Sequence, residues 1–424
     1  MTRLILSTGA RAFSSLRHHR NYRYFFAGQV VSQTGTWMQR IAQGWFVLEI
    51  THSPVAVGIL ALAQFLPFTV LGLFAGVVVD RFDARRMVIW TQAAQMVLAS
   101  ALAGLALAGT ARTWQVYVIA ALNGMLLVLD APARQALTYR MVGPAQLPNA
   151  VALNSSLFNA ARIFGPAAGG IVIAAVGVGW CFALNAASFL AVLAGLLAMR
   201  PSDFHPLEQR ERPSILRGTR QGLAYVARDR RALIVLFTVV MLSTFCFNFN
   251  VLLPVLAKQT LHAGPQSLGL LSAMFGGGAL LGALLSAAQR KASLKVMLLG
   301  GLLFTASELL LAPERSTPLV AAILFFTGVG FTLWTSNSNS TLQLEAPDHL
   351  RGRVVGLYYY AFNGTGPLGG ILAGWLSARG GTELAFVVAG IAGVVATAIA
   401  AAQLRERNPR QNRLEPLARP AGGA

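Results

Sequence analysis

Gly76-Val77-Val78-Val79-Asp80-Arg81-Phe82-Asp83-Ala84-Arg85-Arg86 joins two long apolar runs through a short charged turn. Three arginines and two aspartates fall between Asp80 and Arg86, and the next apolar run leaves from Met87. Each flanking run is about 20 residues long, enough to cross ~30 Å of hydrocarbon as a helix. Charges this close to hydrocarbon persist at the water interface, usually paired, so the stretch reads as a surface turn between two spanning helices. The same alternation continues along the whole chain. Of 424 residues 55% are hydrophobic and 12% charged, whereas a soluble globular chain is about 25% charged. The fold class is therefore an all-α membrane protein. Twelve spans, numbered 1–12, are expected near 24–48, 55–79, 87–108, 114–133, 150–176, 180–199, 232–257, 267–288, 296–312, 318–342, 354–376 and 383–403.

The basic residues orient these spans. The chain ends, with every second turn between them, hold 28 of the 34 Lys and Arg; the opposite turns hold four, and Arg40 and Arg162 lie within spans. That bias predicts a multi-pass membrane protein with both termini in the cytoplasm. The net charge of +19 is then a topology signal, with attraction to anionic lipid secondary, and nucleic acid is not an expected partner. Both cysteines, Cys181 and Cys246, lie in apolar runs and suggest neither a disulfide framework nor a metal site. The chain lacks the glycine-rich phosphate loop of an ATP-driven machine, metal-spaced Cys and His, and a Ser, His and Asp set that can be placed together. No cofactor and no enzymatic activity are expected. The N-terminus carries no apolar core with a cleavage site, so span 1 is the expected insertion signal.

Polar side chains inside spans are costly unless they face protein or a watered cavity. Gln29, Gln33, Arg40 and Gln43 fall near one face of span 1, and Arg40 lies ~24 Å from the entering end, in the outer half. Asp130 and Arg134 stand one turn apart near the end of span 4 and can pair, as a clasp at the rim or as a proton site. Arg162 lies ~18 Å into span 5, near the midplane. It is either a substrate or coupling group or a structural partner. Asn154, Asn159, Asn248, Asn250, Asn337, Asn339 and Asn363 are further inward candidates, and Phe245, Phe247, Trp334 and Tyr358–Tyr360 suit an amphipathic cavity or ordinary packing. Glu308 is placed near the outer end of span 9 and Glu345 near the inner end of span 10, neither clearly buried.

The spacing G-x-x-x-D-R-x-x-x-R-R, carried by Gly76, Asp80, Arg81, Arg85 and Arg86, resembles the loop between helices 2 and 3 of the major facilitator superfamily. That loop is usually written G-x-x-x-D-R-x-G-R-[RK]. Asp83 stands where the family usually has Gly, and the two arginines come one place later. The ordinary alternative is a basic anchor loop. Gly165-Pro166-Ala167-Ala168-Gly169-Gly170 is similar to the G-P-x-x-G-G of helix 5 in the drug/proton antiporter branch. The arginine that many members carry in helix 4 is replaced by Ala120, if Gly124 is its reference glycine. Gly366-Pro367-Leu368-Gly369-Gly370 repeats the helix 5 motif, matching Pro166 and Gly169 to Pro367 and Gly370, and Gly282…Ser286…Lys291 is a worn copy of the charged loop. Asn21-Tyr22-Arg23-Tyr24-Phe25, Thr36-Trp37-Met38-Gln39 and Pro347-Asp348-His349-Leu350-Arg351-Gly352-Arg353 resemble the enterobactin-exporter-like, transmembrane secretion effector branch.

The resemblance covers roughly residues 15–403 and implies two pseudo-symmetric six-helix bundles around a midplane site. It divides the chain into an N-terminal arm (1–23), a first bundle (24–199), a cytoplasmic loop (200–231), a second bundle (232–403) and a tail (404–424). It implies a monomeric secondary transporter in the lipid bilayer that exports a small amphipathic drug or siderophore in exchange for protons. The loop Gly76–Arg86 would act as a gate, with Asp80 pairing to neighbouring helix ends. Arg40, Asp130 and Arg162 would be the groups to test for coupling. A metabolite or lipid importer, a uniporter, and a transport-inactive sensor or scaffold are the alternatives.

Overall fold

The computed structural model describes residues 13–79, 81–206, 215–289 and 291–405. These residues are helical almost throughout, with no strand among them. In hydrocarbon a backbone has no water to bond, and a helix satisfies its amides within one segment. Among the described residues, nine helices are long and apolar enough to cross a membrane. Two of them, Thr113–Val176 and Arg351–Leu404, have 64 and 54 residues and each cross twice. Arg20–Thr51, with 32 residues, supplies the remaining crossing, its apolar character lowered by glutamines on its inward face. Twelve spans result.

Both double-length helices fold back at a glycine. Gly143 has φ +68° and separates span 4 (113–142) from span 5 (144–176), while Gly381 has φ +67° between spans 11 and 12. Glycine enters this left-handed region without the Cβ penalty. Span 4 thus continues well beyond residue 133. Asp130 and Arg134 sit in the body of the helix, and Pro132 is interior to it.

The first bundle comprises Arg20–Thr51, Pro54–Val79, Ala84–Leu107, 113–142, 144–176 and Val178–Leu197. A helix, Ile215–Arg228, lies in the connection before span 7, and Ser14–His18 docks on the turn between spans 4 and 5, Ser14 Oγ donating to Gln146 Oε1 (2.7 Å). Span 7 is broken into Arg230–Phe245, Phe249–Val255 and a π-turn at Leu256–Thr260. Spans 8, 9 and 10 are Pro265–Ala287, Leu294–Leu311 and Thr317–Glu345. Span 11 joins Arg351–Gly364 to the first part of Gly366–Arg405, whose remainder is span 12.

One apolar core runs from Phe46, Leu102 and Phe182 of the first bundle into Phe249, Phe304 and Trp334 of the second. A smaller one, with Tyr22, Val88, Leu137 and Phe189, belongs to the first bundle alone. Between bundles, span 5 packs on span 8 and span 2 on span 11. The contacts are made by glycines whose missing side chains let backbones meet. A Cβ on Gly170 would lie 2.6 Å from the Pro265 carbonyl oxygen, and one on Gly374 2.7 Å from that of Pro54. Gly58 and Gly370 meet equally closely. These contacts lie on the far side, away from the chain ends. Towards the side bearing the chain ends, span 5 leaves Val151, Ser155, Ser156 and Phe158 exposed. The bundles are closed on the far side in this conformation.

Candidate functional site

The break in span 7 faces the space between the bundles. It follows from Asn248, whose amide donates to the carbonyls of Thr244 (2.8 Å) and Phe245 (3.2 Å), groups that the interrupted helix would leave unpaired. Gly369 of span 11 fits against this break, since a Cβ there would come 2.3 Å from the Thr244 carbonyl. The result is a small pocket of about 30 Å³, lined by Phe65 of span 2, Phe247, Asn248 and Asn250 of span 7, and Phe362 and Asn363 of span 11. Three of the expected amides, Asn248, Asn250 and Asn363, therefore meet in one cavity. Thr69 and Tyr360 close its edge: Thr69 Oγ1 donates to Gly364 O (2.9 Å), and Tyr360 OH donates to Thr69 O (2.8 Å).

Beside this pocket Arg162 is enclosed by aromatic faces. Its guanidinium carbon lies 4.9 Å from the Phe275 ring centre, 5.1 Å from Phe331, 5.8 Å from Trp37 and 6.0 Å from Phe247. Arg40 lies over the same indole, 4.6 Å from its centre. Trp37 thus has one guanidinium from span 1 and one from span 5. Each ring returns about 0.5–2 kcal/mol through its quadrupole, so the four rings around Arg162 offset much of the effective cost of several kcal/mol of removing a cation from water, and the one ring under Arg40 falls short of it. Among the described residues, no carboxylate pairs with either arginine.

Asp130 and Arg134 do pair, and the structure adds the rest of their network. Asp130 accepts from Thr91 Oγ1 (2.7 Å) and Gln92 Nε2 (3.1 Å) of span 3, while Arg134 also donates to Gln29 of span 1. Asp130 is 2% exposed and fully occupied, so the geometry is that of a clasp between spans 1, 3 and 4.

The other expected amides lie apart from the central cavity. Asn154 accepts from Tyr22 OH (3.0 Å) inside the first bundle. Asn337 accepts from Ser293 N (3.0 Å) and lines a polar pocket with Ser286, Gln289, Lys291 and Ser340, at the worn copy of the charged loop. Helical periodicity places an amide on a face but does not say which neighbour covers it.

Of the charged loop, Gly76 belongs to the end of Pro54–Val79 and Asp80 lies outside the described residues. Arg85 donates to the carbonyls of Leu196 (Nε 3.0 Å, Nη2 2.8 Å) and Leu197 (3.2 Å), capping the end of span 6. Arg81 and Arg86 are exposed. Asp83 caps span 3 by accepting from Arg86 N (3.0 Å), and it pairs with Arg140 of span 4. Asp83 departs from the family pattern, and this role explains an acid at that place. Arg140 in turn lies over the Phe204 ring (4.9 Å).

The helix 5 motif and its repeat work as a pair. Gly165 and Gly169 face span 1 of their own bundle and Gly170 faces span 8 of the other. Gly369 faces span 7 of its own bundle, while Gly370 faces span 2 of the other. The contacts match Gly169 to Gly369 and Gly170 to Gly370. This corrects the alignment of Gly169 with Gly370, because the second copy is one residue shorter after its proline.

Glu308 also differs from expectation. It is 0% exposed, and neither carboxyl oxygen has a hydrogen-bond partner. Its position three residues from the end of span 9 suggested the interface, but Gly390 and Gly393 draw span 12 onto Thr305 and Leu309 and exclude solvent. Cys246, whose thiol donates to Ala389 O (3.3 Å), faces it from span 7.

Comparison with known proteins places these features. A family profile described as transmembrane secretion effector matches residues 10–420. The staphyloferrin A transporter of Staphylococcus aureus is 25% identical over 383 residues, 89% of this chain and 94% of its own. The multidrug efflux pump Tap of Mycobacterium tuberculosis is 29% identical over 398 residues, covering 88% of this chain and 91% of its own. Among solved structures, a nucleoside transporter superposes with a TM-score of 0.72 at 13% identity, over 91% of this chain and 99% of that one.

Proposed function

Since the chain belongs to the transmembrane secretion effector family of major facilitator transporters, we propose that it exports a small amphipathic molecule in exchange for protons by alternating access. The observation that carries this reading is the central cavity, built from both bundles at a broken span 7 and sealed by backbone contact on one side only. Reversing the seal requires the bundles to rock about the glycine faces of spans 5 and 11. The excess of Lys and Arg on the side of the chain ends supports placing that side in the cytoplasm of a bacterial inner membrane. In this reading the cavity of the present conformation loads from the cytoplasm, and the charged loop steadies the cytoplasmic ends of spans 2, 3, 4 and 6 as they move. The names of the siderophore and multidrug relatives support export of an amphipathic substrate.

Glu308 supports the proton half of the exchange. An ionised carboxylate enclosed without a countercharge is strongly disfavoured, so Glu308 exchanges its proton only when spans 7, 9 and 12 open. Inverted membrane vesicles with an acidic lumen, given a panel of fluorescent amphipathic anions and cations, test the reading. Accumulation of at least one compound that collapses on adding a protonophore is expected. Glu308→Gln is expected to abolish gradient-driven accumulation while exchange of substrate for substrate continues. Equal accumulation with and without the gradient in the wild type rejects proton exchange.

A further inference from the structure

We propose that Arg40 and Arg162 form a binding site for an anionic group, so that the transported molecule is an organic anion with an aromatic or apolar body. The proposal rests on the transport reading and names its substrate class.

The two guanidiniums share the Trp37 indole at the meeting of the bundles, beside the pocket that holds Phe247, Asn248 and Asn363. Like charges so placed repel each other, and both side chains are half-buried, which denies them part of the solvation they would have in water. Aromatic faces offset part of that cost. An opposite charge offsets more, and none is present among the described residues: Glu49 is exposed at the far end of span 1, Asp130 is bound by Arg134, Thr91 and Gln92, Glu345 pairs with Arg231 and Glu383 with Arg315. Glu308 is enclosed among spans 7, 9 and 12 inside the second bundle. A carboxylate or sulfonate reaching the cage would meet two planar donors suited to bidentate bonding, while its apolar body lies along Phe247 and Phe362. A cationic amphiphile would meet two like charges and no carboxylate. The cage also spans the interface. Trp37 and Arg162 belong to the first bundle and Phe247, Phe275 and Phe331 to the second, so rocking must take the cage apart and expose the guanidiniums to whatever the cavity holds.

The test compares 1-naphthoate with 1-naphthylmethylammonium, which share a ring system and differ in charge, by equilibrium dialysis against the purified full chain in detergent. The expected result is at least tenfold tighter binding of the naphthoate. Arg162→Gln and Arg40→Gln should each cost tenfold or more for the anion while leaving the cation unchanged or improved, with Arg162→Lys retaining part of the anion affinity. The proposal is overturned if the cation binds as tightly as the anion, if neither binds, or if anion affinity survives both Gln substitutions. The wild-type comparison decides even if a variant fails to fold. Vesicle flux separates the two readings. Arginine-dependent naphthoate binding without flux of any compound keeps the site and rejects transport. Flux of cations alone keeps transport and rejects the site.

Discussion

Asp83 shows how a single side chain ties the charged turn to the bundle. Burial alone would raise its carboxyl, but the Arg86 amide and the Arg140 guanidinium outweigh burial and hold it below the ordinary carboxylate value. A carboxylate lowered in the folded state adds stability above its unfolded value, about 3.9, and loses that contribution as pH falls through the folded value. Asparagine also caps helices well, so Asp83→Asn removes the pair with Arg140 and keeps the cap. The pair is partly solvent-exposed, so the expected loss is under about 1 kcal/mol. Thermal unfolding in detergent should show a lower melting temperature for the variant at pH 7 and a gap that begins to narrow below about pH 4. A gap that does not narrow as pH falls below about 4 would assign the effect to something other than this carboxylate. Asp130 is expected to behave differently: removing its charge leaves the largely buried Arg134 without its partner, and Asp130→Ala should cost about 3–5 kcal/mol.

Spans 5 and 11 carry the contacts on which any movement between bundles turns. Gly170 meets the backbone of Pro265 and Gly269 at distances that admit no methyl group. Gly170→Ala must therefore push spans 5 and 8 apart on the far side while leaving span 1, which faces Gly165 and Gly169, undisturbed. Spin labels on the far ends of spans 5 and 8 should report a longer separation and a larger open population than in the parent. An unchanged distance distribution would mean that the seal lies elsewhere. This pairing was partly legible in the chain, because the glycine–proline motif recurs and small residues in spans mark close helix approach. The number of spans and their alternation were legible for a similar reason: bilayer thickness fixes helix length, and charge is confined to the ends. The cage around Arg162 was not legible, since Phe247, Phe275 and Phe331 come from spans 7, 8 and 10 and only tertiary packing brings them to span 5. Asn154 and Asn248 look alike as amides in apolar runs, yet one is held by Tyr22 and the other lines the cavity. Glu308 misled by its nearness to a helix end, where glycines in a distant span decide whether water arrives.

At the scale of the whole molecule, an anionic substrate and a proton counter-ion together fix the electrical character of the cycle. A proton moving in and a monoanion moving out each carry one positive charge inward, so a one-for-one exchange moves two charges. Each is worth about 2.3 kcal/mol per 100 mV, which makes the membrane potential a second driving force beside the pH gradient. A cation leaving for a proton would move no net charge. Proteoliposomes clamped with potassium and valinomycin, at equal pH on both sides, distinguish these cases without knowledge of protein orientation, because equilibrium accumulation depends only on stoichiometry. One charge per cycle gives tenfold accumulation per ~59 mV, and two charges give hundredfold over the same interval. Naphthoate should therefore accumulate on the positive side with the two-charge slope, whereas protein-free liposomes, which leak it as the neutral acid, should show no slope. A one-charge slope in the proteoliposomes would show that the anion moves uncoupled from the proton. A flat response would show that charge does not cross with it at all. In Glu308→Gln the slope should fall to that of protein-free liposomes, because exchange of anion for anion moves no net charge once the buried acid is replaced.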